Sequence, residues 1–322
     1  VWSHLRAAVG IVAAGCILSA AVQAQGVMRW IIPYPAGGPL DATARVIEQR
    51  YHQLNASEAV VIENKPGANG FIAAKAVALT AADGKNWLFT NGALLTTNPL
   101  LYPADPDFDA AHALKIVSGV GFQPAVFVVN PAFPAKTVKE FVDIAKSKQL
   151  VYASGGFGST GHLTMSYFGK VAGIDLHHIP YRGGAPAMND LLGGHVSAAF
   201  VDIAGAMPLI KSGQLRVLAI SSIKRSPDLP DVPTVDESGY PGFEMQSGFF
   251  VMVPAKTSDD VVGAIYGKLE PILNDGEVKN RLRSLGIEAK AMSPAEAGKW
   301  LAADRERWAR LISELGIKME GR

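Results

Sequence analysis

Two segments of this chain share one design, and that design restricts the fold more than any other feature. Tyr34-Pro35-Ala36-Gly37-Gly38-Pro39-Leu40-Asp41 and Ser154-Gly155-Gly156-Phe157-Gly158-Ser159-Thr160-Gly161 each join a strand-like apolar run to a helical pattern through glycine. Residues 27–33 precede the first loop as an apolar run. Leu40, Ala44, Ile47, Tyr51 and Leu54 follow it at helical spacing. Pro39 suits a first helical turn, and Asp41 complements the helix dipole. The alternation continues along the chain. Strands are predicted at 60–63, 87–90, 125–129, 150–154, 178–180, 197–201, 215–221 and 249–254. Helices are predicted at 71–79, 137–148, 162–172, 185–193, 205–212, 259–273 and 277–285, and a last one opens at Ser293-Pro294-Ala295-Glu296 and stops at Gly316. Residues 225–241, rich in Pro and Asp, read as a surface connection. This order predicts an α/β protein with mainly parallel sheets flanked by helices.

The glycine loops also suggest chemistry. Glycine lets backbone approach a ligand closely, and the helix start behind it offers unpaired N–H donors with a partial charge of about +0.5. Such a loop holds a carboxylate or phosphate without Lys or Arg. Bonds to a charged group net roughly 1.5–3 kcal/mol each, so two loops giving about two bonds each supply roughly 6–12 kcal/mol. Micromolar binding needs about 8 kcal/mol, so both loops have to close on one ligand. The second loop also contains a literal G-x-G-x-x-G from Gly156 to Gly161, with Asp175 about twenty residues beyond, the spacing of a dinucleotide site. Asp175 precedes a strand instead of ending one, so an NAD-binding exported enzyme is the lesser alternative. No G-x-S-x-G, G-x-x-x-x-G-K-[ST] or H-E-x-x-H occurs. His177 and His178 are adjacent and point apart in a strand, a poor metal geometry. No cofactor and no metal are expected.

Charge and leader set the setting. The 322 residues carry 30 Lys+Arg against 29 Asp+Glu, which argues against a nucleic-acid partner. Hydrophobic residues at 48% allow a sizeable core. One cysteine excludes an internal disulfide. Residues 1–24 read as a signal peptide: His4 and Arg6, an apolar run over 7–21, then Val22-Gln23-Ala24. The run falls short of the roughly 20 residues that a transmembrane helix needs. The chain is therefore expected in the periplasm. Ala14-Gly15-Cys16 offers a second possibility, a lipid anchor through Cys16, with Ala13 in place of the usual Leu three positions upstream.

Several motifs then occur in order: Tyr34-Pro35-x-Gly37-Gly38-x-x-Asp41-x-x-Ala44-Arg45, Glu63-Asn64-Lys65-Pro66-Gly67-Ala68-Asn69-Gly70 and Tyr152-Ala153-Ser154-Gly155. Gly158-Ser159 with His162-Leu163, Pro180-Tyr181-Arg182-Gly183-Gly184, Asp190-Leu191-Leu192-Gly193-Gly194 and Leu229-Pro230-Asp231-Val232-Pro233-Thr234 follow. With these the chain resembles the periplasmic solute receptors of tripartite tricarboxylate transporters, the Bug-type receptors. The resemblance implies a two-lobed periplasmic-binding-protein (Venus flytrap, type II) fold, with 25–124 and 250–322 in one lobe and 125–249 in the other. It implies a small organic acid as ligand: a di- or tricarboxylate, an acidic amino acid or an aromatic acid. It also implies membrane transporter subunits as partners, no enzymatic activity, and a monomer. Carried over by position, the ligand residues are Tyr34, Gly37, Gly38 and Asp41, with Asn91, Ala93 and Leu94 on the same wall. Ser154, Ser159, Thr160 and His162 face them, with Tyr181 and Asp202 beside. Arg182 stands where the family commonly has Lys, and Gly248-Phe249-Phe250 where it often has Trp-Phe-Gly. The motif before the first crossover is blurred at 108–115. A receptor that reports its ligand to a signalling system is the alternative within binding proteins.

Overall fold

The structure, a computed structural model, describes residues 27–102 and 108–317. The leader, its cleavage site and Cys16 lie outside the described residues. Ten strands are present among them: β1 (Met28–Ile32), β2 (Val60–Asn64), β3 (Asn86–Asn91), β4 (Leu114–Val129), β5 (Leu150–Ser154), β6 (Leu176–Pro180), β7 (Ala198–Asp202), β8 (Arg216–Ile220), β9 (Gln246–Pro254) and β10 (Glu288–Met292). Helices fill the connections, the longest being Pro39–Leu54, Val138–Ser147, Thr160–Ala172, Asp259–Asn274 and Pro294–Leu315.

The fold is α/β and two-lobed, and each lobe has a mixed sheet. In the first, β1 pairs parallel with β2 and β3, while β9 lies antiparallel between β3 and β4, and β10 antiparallel on β4. In the second, β5 pairs parallel with β6 and β7, while β4 runs antiparallel to β7 and β8. The parallel pairing predicted from the β-α-β order therefore holds for β2-β1-β3 and for β6-β5-β7, while β4, β8, β9 and β10 make antiparallel pairs. The reason is the crossing. β4 runs outward through both sheets, its residues 114–124 on β9 and 125–129 on β7, and β9 returns into the first sheet. Only the second half of β4 shows as an apolar run in the sequence, because Ser118, Gly119, Gly121, Gln123 and Pro124 interrupt the first half. Of the two glycines there, Gly121 is a steric necessity because it meets backbone, whereas Gly119 faces the flexible Met292 side chain, which would have to shift. A Cβ on Gly119 would stand 2.0 Å from the Met292 side chain, and one on Gly121 2.5 Å from the Glu288 carbonyl, both in β10.

Each sheet is covered on both faces. In the first lobe Trp30 stacks on Trp87 at 4.9 Å, both wholly buried, with Tyr51 edge-on. In the second Phe127 stacks on Phe200 at 4.8 Å, with Phe141 and Phe168 against it. The last helix starts with a full capping box between Ser293 and Glu296 and ends at Gly316, whose φ of +62° suits glycine. Its Ala297 and Leu301 pack in the first lobe, and Trp308, Leu311 and Ile312 in the second. Full burial of such side chains stabilises by about 1.5–3 kcal/mol each, so this one helix holds both lobes.

Candidate ligand-binding cleft

The first glycine loop leaves β1 and enters the Pro39–Leu54 helix with Gly38 as N-cap and Pro39 in the first turn. Gly37 takes φ +82°, a conformation that favours glycine. Asp41 is 2% exposed and shapes this turn. Its carboxylate accepts the Gly37 N–H at 2.9 Å, the Arg45 Nε and Nη2 at 2.9 and 3.1 Å, and the Asn64 amide at 3.1 Å. Burial works to raise this carboxyl, but those donors hold it below its ordinary range.

The second loop leaves β5 and enters the Thr160–Ala172 helix. Ser159 is the N-cap and accepts the His162 N–H through its side chain. His162 is 4% exposed, and its Nδ1 accepts the Gly158 N–H at 3.1 Å. Its ring lies 4.1 Å from His178, which hydrogen-bonds the Ser154 hydroxyl at 2.7 Å. Ser154 in turn donates to the Gly156 carbonyl. Burial, then the charge of a neighbouring histidine (His178 for His162, His177 for His178), pushes each of these imidazoles down to about 4. Both rings are neutral at pH 7, and they brace the loop from behind.

Between the two helix starts lies a cavity of about 410 Å³. The first lobe contributes Tyr34, Pro35, Ala36, Gly38, Pro39, Leu40 and Asn91, and the second Thr160 and Asp202. Gln123, Ser247 and Phe249 come from the crossing strands. Tyr34 donates to the Asn91 Oδ1 at 3.3 Å, and burial raises its hydroxyl above the ordinary value. Thr160 reaches Ser247 at 3.4 Å, hydroxyl to hydroxyl. A smaller recess of about 50 Å³ shares Asn91, Thr160 and Ser247 and continues to Ala93, Asp304 and Trp308. Desolvation raises the Asp304 carboxyl, and Arg307, its ion-pair partner, offsets part of that rise. Arg307 also donates to the Glu244 carbonyl at 2.8 Å, tying the last helix to the returning crossover.

Helix geometry supplies the donors. The N–H groups of Leu40 and Asp41, and of Thr160 and Gly161, lie in first turns and have no intrahelical acceptor. No Lys or Arg lines the cavity. A small anion here meets backbone dipoles and hydroxyls.

The cavity thus gathers Tyr34, Gly38, Asn91, Thr160 and Asp202 from the residues singled out in the sequence, with Ala93 at the adjoining recess. It does not gather the others. The Gly37 and Gly158 amides are engaged inside their own loops, by Asp41 and His162. Ser154 and Ser159 are occupied as described. Leu94 is buried in the first core. The Tyr181 hydroxyl turns away to Asp190. Gln123, Ser247 and Phe249 are additions, and only their place beside the crossovers could have flagged them. The G-x-G-x-x-G stretch lacks its acidic partner. Leu150 pairs with Leu176 at the start of the strands, so Asp175 sits at the sheet edge opposite the loop, where it bonds Gln149.

Residues 43–317 match the family described as tripartite tricarboxylate transporter family receptor. The chain belongs to that family. Protein BugT of Bordetella pertussis is 32% identical over 325 residues, covering 99% of each chain. A protein of R. palustris solved with adipate superposes with a TM-score of 0.81 at 29% identity, over 92% of this chain and 99% of that one. The periplasmic binding protein BugD superposes at 0.75 with 31% identity, over 90% and 98%. The receptor family resemblance drawn from the glycine motifs is therefore correct, and the two-lobed fold is the family's.

Proposed function

We propose that this receptor works in the periplasm, captures a small carboxylate between its lobes and delivers it to membrane subunits of a tripartite tricarboxylate transporter, without chemistry of its own. One observation carries this reading: two helix starts from different lobes face one cavity that no cationic side chain lines. The ligand's carboxylate accepts from the first-turn amides of both helices and from Thr160. Because each lobe supplies only half of the donors, the anion favours the closed arrangement over the open one, and closure is what a transporter can recognise. The adipate-bound relative supports a carboxylate ligand. The lobes are assigned as 25–124 with 250–322, and 125–249, the last helix being shared. The receptor acts as a monomer.

A thermal-shift screen of organic acids at neutral pH tests this. A ligand at about 100 times its Kd adds roughly 2.7 kcal/mol of stability. Gly38→Val is the control. Its Cβ would meet nothing nearer than the Pro35 carbonyl at 3.4 Å, so the fold tolerates it while the side chain fills the cavity. Loss of every acid-induced shift in this variant is expected. Retained shifts would place the ligand elsewhere.

A further inference from the structure

Asp202 is the one charged side chain among the residues that line the cavity. It closes β7, pairs with Ala125 where β4 enters the second lobe, and is the N-cap of the Ile203–Lys211 helix. Yet its side chain makes no cap bond. Ser159, Ser258, Asp275 and Ser293, at the same position of their helices, all accept backbone N–H groups. Asp202 forgoes that bond, faces the cavity, and has neither an ion pair nor a hydrogen bond among the described residues. Asp202 is exposed to the open cleft, and the protein around the cleft still raises its carboxyl above the ordinary range by desolvation. A ligand that fills the cleft cuts this carboxyl off from solvent, and the cavity wall offers it no donor of positive charge in exchange.

We infer that Asp202 selects a ligand carrying a protonated amino group at the end remote from its carboxylate. The inference rests on the carboxylate site proposed above and adds the other pole of the ligand. One end of such a zwitterion meets the first-turn amides, and the other supplies the N–H donors that Asp202 lacks. A dianion of equal length would bring a second carboxylate against Asp202 with no cation to separate them. A hydroxyl at that end can donate one bond and stands between the two.

Matched straight-chain ligands of four to six carbons test this by titration calorimetry at pH 7, with ω-amino, ω-hydroxy and dicarboxylic acids compared at each length. The wild-type chain is expected to bind its best ω-amino acid about tenfold or more tighter than the dicarboxylate of that length. Asp202→Asn, nearly isosteric, is expected to weaken the amino acid about tenfold and to tighten the dicarboxylate, inverting the order. The melting temperature of the unliganded variant checks its fold, and Asp202→Ser is the second variant if the first unfolds. A wild-type preference for the dicarboxylate, or an order unchanged in the variant, overturns this inference and leaves the carboxylate site standing, provided that Gly38→Val still abolishes binding. Failure of every acid in the series to bind overturns both.

Discussion

Protonating His162 should loosen the second glycine loop, and the cost follows from its surroundings. The ring is 4% exposed, accepts the Gly158 N–H on Nδ1 and lies 4.1 Å from His178. A proton on Nδ1 would set donor against donor and charge a buried ring. The folded ring titrates near 4, against an ordinary value of 6.5. The unfolded chain therefore binds more protons between those values, so this stability is complete above about pH 6.5 and is lost as the pH falls toward 4. Between pH 7 and pH 5 the loss amounts to about 2 kcal/mol for His162, with a smaller addition from half-buried His178. Urea unfolding followed by tryptophan fluorescence at pH 7, 6 and 5 measures it. His162→Asn provides the comparison, because its amide oxygen can still accept the Gly158 N–H and does not titrate. The variant starts less stable but should lose about 2 kcal/mol less than wild type over that range. Titrating groups remote from His162 contribute equally to both proteins and cancel, whereas His178, 4.1 Å away, is the one neighbour whose share changes with the substitution. Parallel pH slopes would refute a neutral, loop-bracing His162.

Two further substitutions probe the helix starts. Asp41→Ala removes the acceptor shared by Gly37, Arg45 and Asn64. It should cost about 2–3 kcal/mol in thermal unfolding and abolish acid binding in calorimetry, although Asp41 does not line the cavity. Gly161→Ala would place a Cβ 2.6 Å from the Phe200 carbonyl, forcing the Thr160 helix away from β7. About 1–3 kcal/mol of destabilisation and at least about tenfold weaker binding are expected, and unaltered affinity would mean that this helix start does not hold the ligand.

Most elements could be read from the sequence because their local signals and tertiary roles agree. Ser293-Pro294-Ala295-Glu296 opens its helix with the capping box that its spacing suggests, and Thr137 caps the Val138–Ser147 helix by accepting the Glu140 N–H, although the Glu140 carboxylate turns to the Lys136 N–H instead of closing the box. β10 could not be read. Glu-Ala-Lys-Ala-Met favours helix, and pairing with Phe122 and Gly121 of β4 overrides that propensity. At the site, the sequence identifies which loops matter but not which of their groups are free. Asp41 and His162 have ligand-like chemistry, and only the structure shows that neighbouring amides occupy them. Gln123, Ser247 and Phe249 come together from crossings far apart in sequence, which no local pattern records.

The place of β9 has a consequence for how the chain matures. This strand sits between β3 and β4, so Leu88 cannot find Met252 until everything between them has been synthesised. The amino-terminal half would leave the ribosome with an open slot through the middle of its sheet and no residues to fill it. Contacts so distant along the chain are slow to form. The first lobe's sheet is therefore completed only after the whole second lobe has been made, so the segment that emerges first is the last to be closed.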